Sequence, residues 1–194
     1  MLRNVLCARM MSEGPSSPDP MQRASSYAYS DKYIRAAVAE FQTPLIRYAA
    51  RLVSDPDRAR DIVQDTFLKL VEQELETLDG HLAEWLFTVC RHRSLDVLRK
   101  EGRMKRFEEG QEDRVTSDEP RPLRSLETAE VQEAVLKLID GLPQNQQEVI
   151  RLKFQNGFSY KEISRITALS VSHVGVLIHN AVGRLRTDFA AQHL

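Results

Sequence analysis

Apolar side chains recur along this chain at alternating steps of three and four, and no period-two alternation survives anywhere. That spacing puts them on one side of a helix, so every element the pattern predicts is helical. The first carries Tyr33, Ile34, Ala37, Val38 and Phe41, with Ser30 and Asp31 able to cap it. Thr43-Pro44 either kinks that helix or restarts it, since proline lacks the amide donor but suits a first turn. Leu45, Tyr48, Ala49 and Leu52 continue the stripe. Ser54-Asp55-Pro56 then punctuates the chain, and Ala59, Ile62, Val63, Thr66, Phe67 and Leu70 mark a second helix. A third is predicted from about His81 to Lys100.

The pattern then stops. Residues 107–126 show no apolar period, six acids (Glu108, Glu109, Glu112, Asp113, Asp118, Glu119) and two prolines (Pro120, Pro122), the composition of a linker. Helical spacing resumes from Val131 to Ile139 and is closed by Gly141. Pro143 opens another helix, with Val149, Ile150, Leu152 and Phe154, ending at Asn156-Gly157. At the other end, residues 1–29 hold Pro15, Ser16, Ser17, Pro18 and Pro20 and little to bury, which predicts a disordered extension. The expected fold is all-α, with two small helical domains, 30–106 and 127–194, joined by a flexible acidic linker.

The last stretch is the most specific. Ser159 followed by Glu162 is a capping box, hydroxyl to the third amide and carboxylate back to the cap amide. Ile163 and Ile166 form the stripe of a short helix, Ala168-Leu169-Ser170 makes a turn, and Ser170 or Ser172 can cap the next helix. Val171, Val174, Ile178, Ala181 and Leu185 then form one buried stripe. Ser172, His173, Val176, His179 and Asn180 are left outward, where the second helix of a helix-turn-helix meets a major groove. The same pattern also suits an ordinary helical hairpin with a solvated face.

Composition narrows the function. Lys and Arg number 27 against 28 Asp and Glu, a formal net charge of −1. A chain that held nucleic acid alone by neutralising phosphates would be clearly basic, so its cations are clustered or a partner supplies the field. Cys7 and Cys90 are too far apart in sequence and context for a disulfide framework, and five scattered histidines have no metal-ligand spacing. No metal, cofactor or small-molecule ligand is expected, and neither is catalysis, for want of a nucleophile–base pair or phosphate loop. The Val5-Leu6-Cys7-Ala8 run is too short for a secretory segment, so a cytoplasmic location is expected. Met1 and Met11 both remain open as the start.

Charge is also sorted along the chain. Asp61, Asp65, Glu72, Glu74, Glu76 and Asp79 stand against Lys69 alone. Further on, Arg91, Arg93, Arg99, Lys100, Arg103, Lys105 and Arg106 outnumber Glu84, Asp96 and Glu101. Two solvated faces would account for this, and so would a helix that docks on a basic protein beside one that touches a polynucleotide.

These residues resemble a known family. Leu45-Ile46-Arg47-Tyr48-Ala49, Asp55-Pro56 and the run Ala59 to Leu70 resemble the first conserved domain of extracytoplasmic-function (ECF) sigma factors of bacterial RNA polymerase. Trp85-Leu86-Phe87-Thr88-Val89 with Arg91, Asp96 and Leu98-Arg99-Lys100 resembles that domain's promoter-contacting helix. Leu142-Pro143, Val149-Ile150, Leu152, Phe154, Ser159-Tyr160, Glu162-Ile163 and Ser170-Val171 resemble its C-terminal domain. The three pieces are collinear over about residues 31–190, with the linker in the family's place.

The resemblance implies that Asp61, Gln64, Asp65, Phe67 and Leu68 dock on the clamp helices of the polymerase core, the flap offering a second contact. Being consecutive on a helix, Phe67 and Leu68 cannot both face one core. Trp85, Arg91, His92, Asp96, Arg99, Lys100 and Arg103 would read and open the promoter element near minus ten, rings stacking on bases and cations following phosphates. Core packing is the stronger claim on Trp85, with Leu82, Leu86 and Val89 close by, and Cys90 reads simply as a small buried hydrophobe. Lys161, Ser172, His173, Val176, Asn180 and Arg184 would bind the element near minus thirty-five, with Arg165 and Arg186 as further phosphate anchors. Val176 suits a thymine methyl and Asn180 an adenine edge. Here the chain departs from the family: Gly175, Leu177 and Asn180 stand where Lys or Arg is common, and His92 where Asn is. The resemblance further implies an anti-sigma partner and a linker that threads the polymerase's basic RNA path. The alternative is a stand-alone helix-turn-helix regulator, which leaves the acidic helix and linker unexplained.

Overall fold

The computed structural model of the protein describes the backbone of residues 20–78, 80–102 and 126–192, and side chains within 31–74, 77–78, 80–102 and 133–191. Every regular element among the described residues is helical: α1 (Pro20–Val53), α2 (Pro56–Val71), a 3-10 turn (Leu75–Leu78), α3 (Leu82–Lys100), α4 (Leu126–Asp140), α5 (Gln144–Phe154), α6 (Tyr160–Thr167) and α7 (Val171–Gln192). The all-α expectation holds.

Two boundaries differ from the pattern. Disorder was expected up to residue 29, yet α1 begins at Pro20. Pro20 fits a first-turn position, and once the apolar stripe has nucleated a helix, adding turns over Met21, Ala24 and Ala28 costs little. Residues 1–19 lie outside the described residues, as do 103–125, which take in most of the expected linker. Pro44 neither stops nor restarts α1, which runs through it.

Local signals set the joints. Ser54 takes a left-handed φ of 58° after α1, and its amide still reaches the Ala50 carbonyl. Asp55 then caps α2, accepting from the amides of Asp57 and Arg58 at 3.0 and 3.1 Å, with Pro56 in the first position. Gly157, at φ +78°, bends the chain after α5 so that the Phe158 amide returns to the Leu152 carbonyl and its ring turns inward.

Helices α1, α2 and α3 pack pairwise, and α4, α5 and α6 each lie against α7. The two sets are also joined: α3 packs on α6, and one contiguous apolar core runs from Ala37 through Leu86 and Phe87 to Ile163, Val174 and Ala181. Full burial of each such leucine, isoleucine or phenylalanine contributes about 1.5–3 kcal/mol. Buried hydroxyls are satisfied locally, Thr66 donating to the Ile62 carbonyl, Ser94 to Cys90 and Thr167 to Ile163. Two apolar residues from the predicted stripes stay outside, Phe154 at 64 % exposure and Val171 at 44 %. Both sit at helix ends, where the next turn that would cover them is missing.

Replacing Asp55 with Ala removes the acceptor for two first-turn amides of α2. The expected loss is about 0.5–2 kcal/mol, read as a thermal midpoint lower by roughly 1–8 °C for a chain of this size.

Candidate nucleic-acid interface

Helix α2 shows two distinct sides. Ala59, Ile62, Val63, Thr66 and Leu70 are buried, while Asp61, Gln64 and Asp65 are exposed. Leu68 is 57 % exposed, whereas Phe67 is half-buried against the core, so the two neighbours divide as helix geometry requires. Phe67, Leu68 and Val71 from α2 and Ile34, Val38 and Ile46 from α1 line a surface groove of roughly 470 Å³. Its floor is apolar and its polar lining is Gln42, Arg60 and Gln64, which suits an aliphatic anchor from another protein surface.

Helix α3 buries Leu86, Phe87, Cys90, Leu95 and Leu98. Cys90 is fully enclosed and burial pushes its thiol up to about 12, so it is inert, as a small core hydrophobe should be. The expected DNA-facing stripe divides into two parts. His92, Asp96, Arg99 and Lys100 are exposed, with Asp96 and Arg99 paired at 2.9 Å. Trp85 is half-buried against the core. Arg103 lies outside the described residues.

Arg91, on the same helix, faces a carboxylate and not solvent. Its side chain is 11 % exposed, and its Nε donates to Glu148 Oε1 of α5 at 2.8 Å. Tyr48 of α1 donates its hydroxyl to the same oxygen at 2.6 Å. The reason is Glu148, a carboxylate with a 4 % exposed side chain, whose burial is costly unless a cation and a donor meet it. Burial lowers the proton affinity of Arg91, and the charge and hydrogen bond of Glu148, together with Tyr48, more than restore it, so the net direction is upward. For Tyr48, burial first and the Glu148 charge second push the phenol well above its usual value.

Around this triad the rings meet at steep angles. Tyr48 and Phe87 centroids lie 5.2 Å apart, and Phe87 meets Phe158 edge-on at 5.0 Å, each pair adding about 0.5–1.5 kcal/mol beyond burial. Nearby, Arg165 of α6 grips Glu84 of α3 in a two-pronged pair at 2.5 and 2.6 Å, and the Glu84 bond draws Arg165 upward. Arg165 was expected as a phosphate anchor; here it faces a carboxylate.

The helix-turn-helix forms as its spacing predicts. Ser159 and Glu162 close the capping box at 2.7 and 3.3 Å, and the Ser159 bond holds Glu162 below the usual carboxylate value. Ala168 takes a left-handed turn at φ 60°, and Ser170, not Ser172, caps α7 by accepting the His173 amide at 3.2 Å. Lys161, Ser172, His173, Val176, Asn180 and Arg184 are all exposed, Val176 at 55 %. Arg184 lies 3.8 Å from Asp188. Leu177 is 6 % exposed and belongs to the core, so a cation at that position would have no route to solvent. A Cβ on Gly175 would sit 3.7 Å from the Tyr160 ring, an ordinary contact.

Three participants escaped the sequence: Glu148, Glu84 as a partner for Arg165, and Phe158. An acid beside Val149 and Ile150, four residues before buried Leu152, signals a buried charge. Nothing in the order of residues points to partners 57 and 100 positions away. Among the described residues no group of three or more His, Cys, Asp or Glu is placed to hold a metal ion.

Residues 37–104 match the family model of Sigma-70 region 2 and residues 132–185 that of Sigma-70, region 4. The ECF RNA polymerase sigma factor SigL of Mycobacterium tuberculosis is 31 % identical over 176 residues, covering 86 % of this chain and 94 % of the relative. The ECF RNA polymerase sigma factor SigE of Mycolicibacterium smegmatis is 28 % identical over 149 residues, 76 % of this chain but only 57 % of SigE. RNA polymerase sigma factor YlaC of Bacillus subtilis is also 28 % identical, over 73 % of this chain and 83 % of YlaC. Among solved structures, the sigma factor RpoE in complex with the anti-sigma factor NepR, from Bartonella quintana, aligns with a TM-score of 0.59 and 26 % identity. That alignment covers 80 % of this chain and 96 % of RpoE. By class these matches define a sigma-70-type initiation subunit of RNA polymerase, and the chain belongs to the ECF family of RNA polymerase sigma factors. Its function is promoter recognition and initiation as part of the polymerase, which disfavours a stand-alone regulator; sigma factors as a family are not enzymes.

Two measurements check this geometry. Gly175→Ala gains helix propensity without a clash and should raise stability by about 0.5–1 kcal/mol in urea unfolding. Tyr48 keeps its proton in the folded chain at a pH where the unfolded chain, with a value near ~10, has lost it. Its contribution is therefore complete below about pH 10 and is lost as pH rises beyond, by up to about 1.4 kcal/mol per pH unit. The thermal midpoint should fall more steeply above about pH 10 in the wild type than in Tyr48→Phe.

Proposed function

We propose a division of labour in which residues 30–106 dock on core polymerase and open the proximal promoter element, while residues 127–194 bind the upstream one. The observation that carries it is the two-sided α2: Asp61, Gln64, Asp65 and Leu68 point outward while the opposite side is spent on the core. Carboxylates around an exposed aliphatic side chain are what a basic, ridged protein surface requires. Asp61 and Asp65 attract its cations, Gln64 hydrogen-bonds, Leu68 inserts, and half-buried Phe67 backs the anchor.

On α3, Arg99 and Lys100 follow the phosphates, with His92 and Asp96 beside them, and Trp85 offers one edge of its ring. On α7, Val176 and Asn180 read base edges, Ser172 and His173 supply adaptable hydrogen bonds, and Lys161 and Arg184 hold phosphates. The acidic segment between the two units runs along the polymerase's RNA path. A net charge of −1 suits a chain that gains firm hold of DNA only within the holoenzyme. We place the protein in the cytoplasm, without a catalytic centre of its own; no single described helix is long and apolar enough to cross a membrane. The complex of RpoE with NepR supports an anti-sigma partner for this chain as well.

The test is transcription in vitro with purified core polymerase on a genomic library, with start sites mapped. Arg99→Ala combined with Lys100→Ala should abolish most promoter opening and leave retention of core polymerase on the tagged chain unchanged. Loss of core retention in that variant would mean that α2 and α3 have each other's roles.

A further inference from the structure

We infer that the free chain rests in a closed form, in which the upstream-reading unit lies against the proximal-reading helix and is held there by Glu148. This rests on the assignment of α3 to DNA and adds a regulation of it. Three independent contacts join the two helical sets. Glu148 of α5 takes Arg91 of α3 and Tyr48 of α1 on one oxygen. The Phe158 ring meets Phe87 edge-on. Arg165 of α6 forks onto Glu84 of α3.

What these contacts consume is as telling as what they join. Two cations with a claim on phosphate, Arg91 and Arg165, both face carboxylates of the opposite set. Helix α6 packs on α3 and holds Glu84 in its first turn through Arg165, and Trp85 beside it is half-buried. DNA cannot lie along the full length of α3 until α6 moves away.

The chemistry suits a latch that opens. A buried ion pair recovers in mutual attraction roughly what it lost in hydration, so the closed form is specific without being very tight. Removing one member leaves the other buried and unpaired, which turns the same contact strongly against closure. Water reaching Glu148 and Arg91 on opening restores hydration to both. Glu84 and Arg165 lie nearer solvent, Arg165 half-exposed, and act as a weaker outer catch.

The experiment measures the distance between the two sets in the full free chain. Spin labels are placed at Asp57→Cys on α2 and His179→Cys on α7, both exposed; Cys7 is replaced by Ser, and enclosed Cys90 stays unlabelled. The wild type should give one narrow distance distribution. Glu148→Gln should broaden it toward longer distances, and Glu84→Gln should do so more weakly. Helix content by circular dichroism shows that each variant is folded. Glu84→Gln decides the matter if Glu148→Gln loses helix, since its partner Arg165 is half-exposed and no buried charge is left behind. In parallel, affinity for a mixed-sequence duplex with a single-stranded bubble should rise about tenfold in Glu148→Gln, as expected when the competent form goes from about a tenth of the population to most of it. A broad wild-type distribution, or folded variants with unchanged distances, overturns the closed form. Longer distances with unchanged DNA affinity leave the latch standing and overturn the assignment of α3 to DNA.

Discussion

A carboxylate withdrawn from water must find a cation and a donor or lose its charge, and Glu148 finds both on helices that belong to the other half of the chain. That requirement fixes more than one contact. It turns Arg91 inward, raises the Tyr48 phenol, and brings the Tyr48, Phe87 and Phe158 rings into one file at the boundary. The relative placement of the two helical sets depends on it, and with it which parts of α3 are open to a nucleic acid. Apolar burial alone would allow the sets to slide; a single oxygen shared by two donors does not.

A protein that must grip another protein and a polyanion meets a charge problem. Spread evenly, 27 cations and 28 anions would attract neither partner. Sorted by helix face, they leave an acidic surface in one place and a basic one in another. The outward side of α2 keeps Asp61 and Asp65 clear of the core, and the C-terminal end of α3 keeps Arg99 and Lys100 clear as well. The near-zero sum then limits hold on DNA by the chain alone, consistent with an initiation subunit that works inside the polymerase.

Departures from the family's pattern become intelligible in the fold. Leu177 cannot be an outward cation because the core needs its volume. Gly175 has room for a side chain beside Tyr160, so packing within the chain does not demand a glycine there. In the N-terminal half of α7, what faces outward is a set of neutral groups that includes Ser172, His173, Val176 and Asn180, while the cations Arg184 and Arg186 stand further along the helix.

The all-helical fold, the capping box at Ser159, the cap at Asp55, the turn at Ala168 and the outward set on α7 were legible from residue order, because each depends on neighbours within a few positions. So was the split between Phe67 and Leu68, a consequence of helical pitch. The start of α1 at Pro20 was not, since propagation from a nucleus formed further along overrides weak local preference. Nor was the fate of Arg91 and Arg165. A cation on a helix face looks the same in sequence whether it meets phosphate or carboxylate. Only the approach of α5 and α6, from segments tens of residues away, supplied Glu148 and juxtaposed Glu84. Local periodicity carries which face a side chain takes; what stands opposite that face is set by packing between distant segments, which short-range order does not encode.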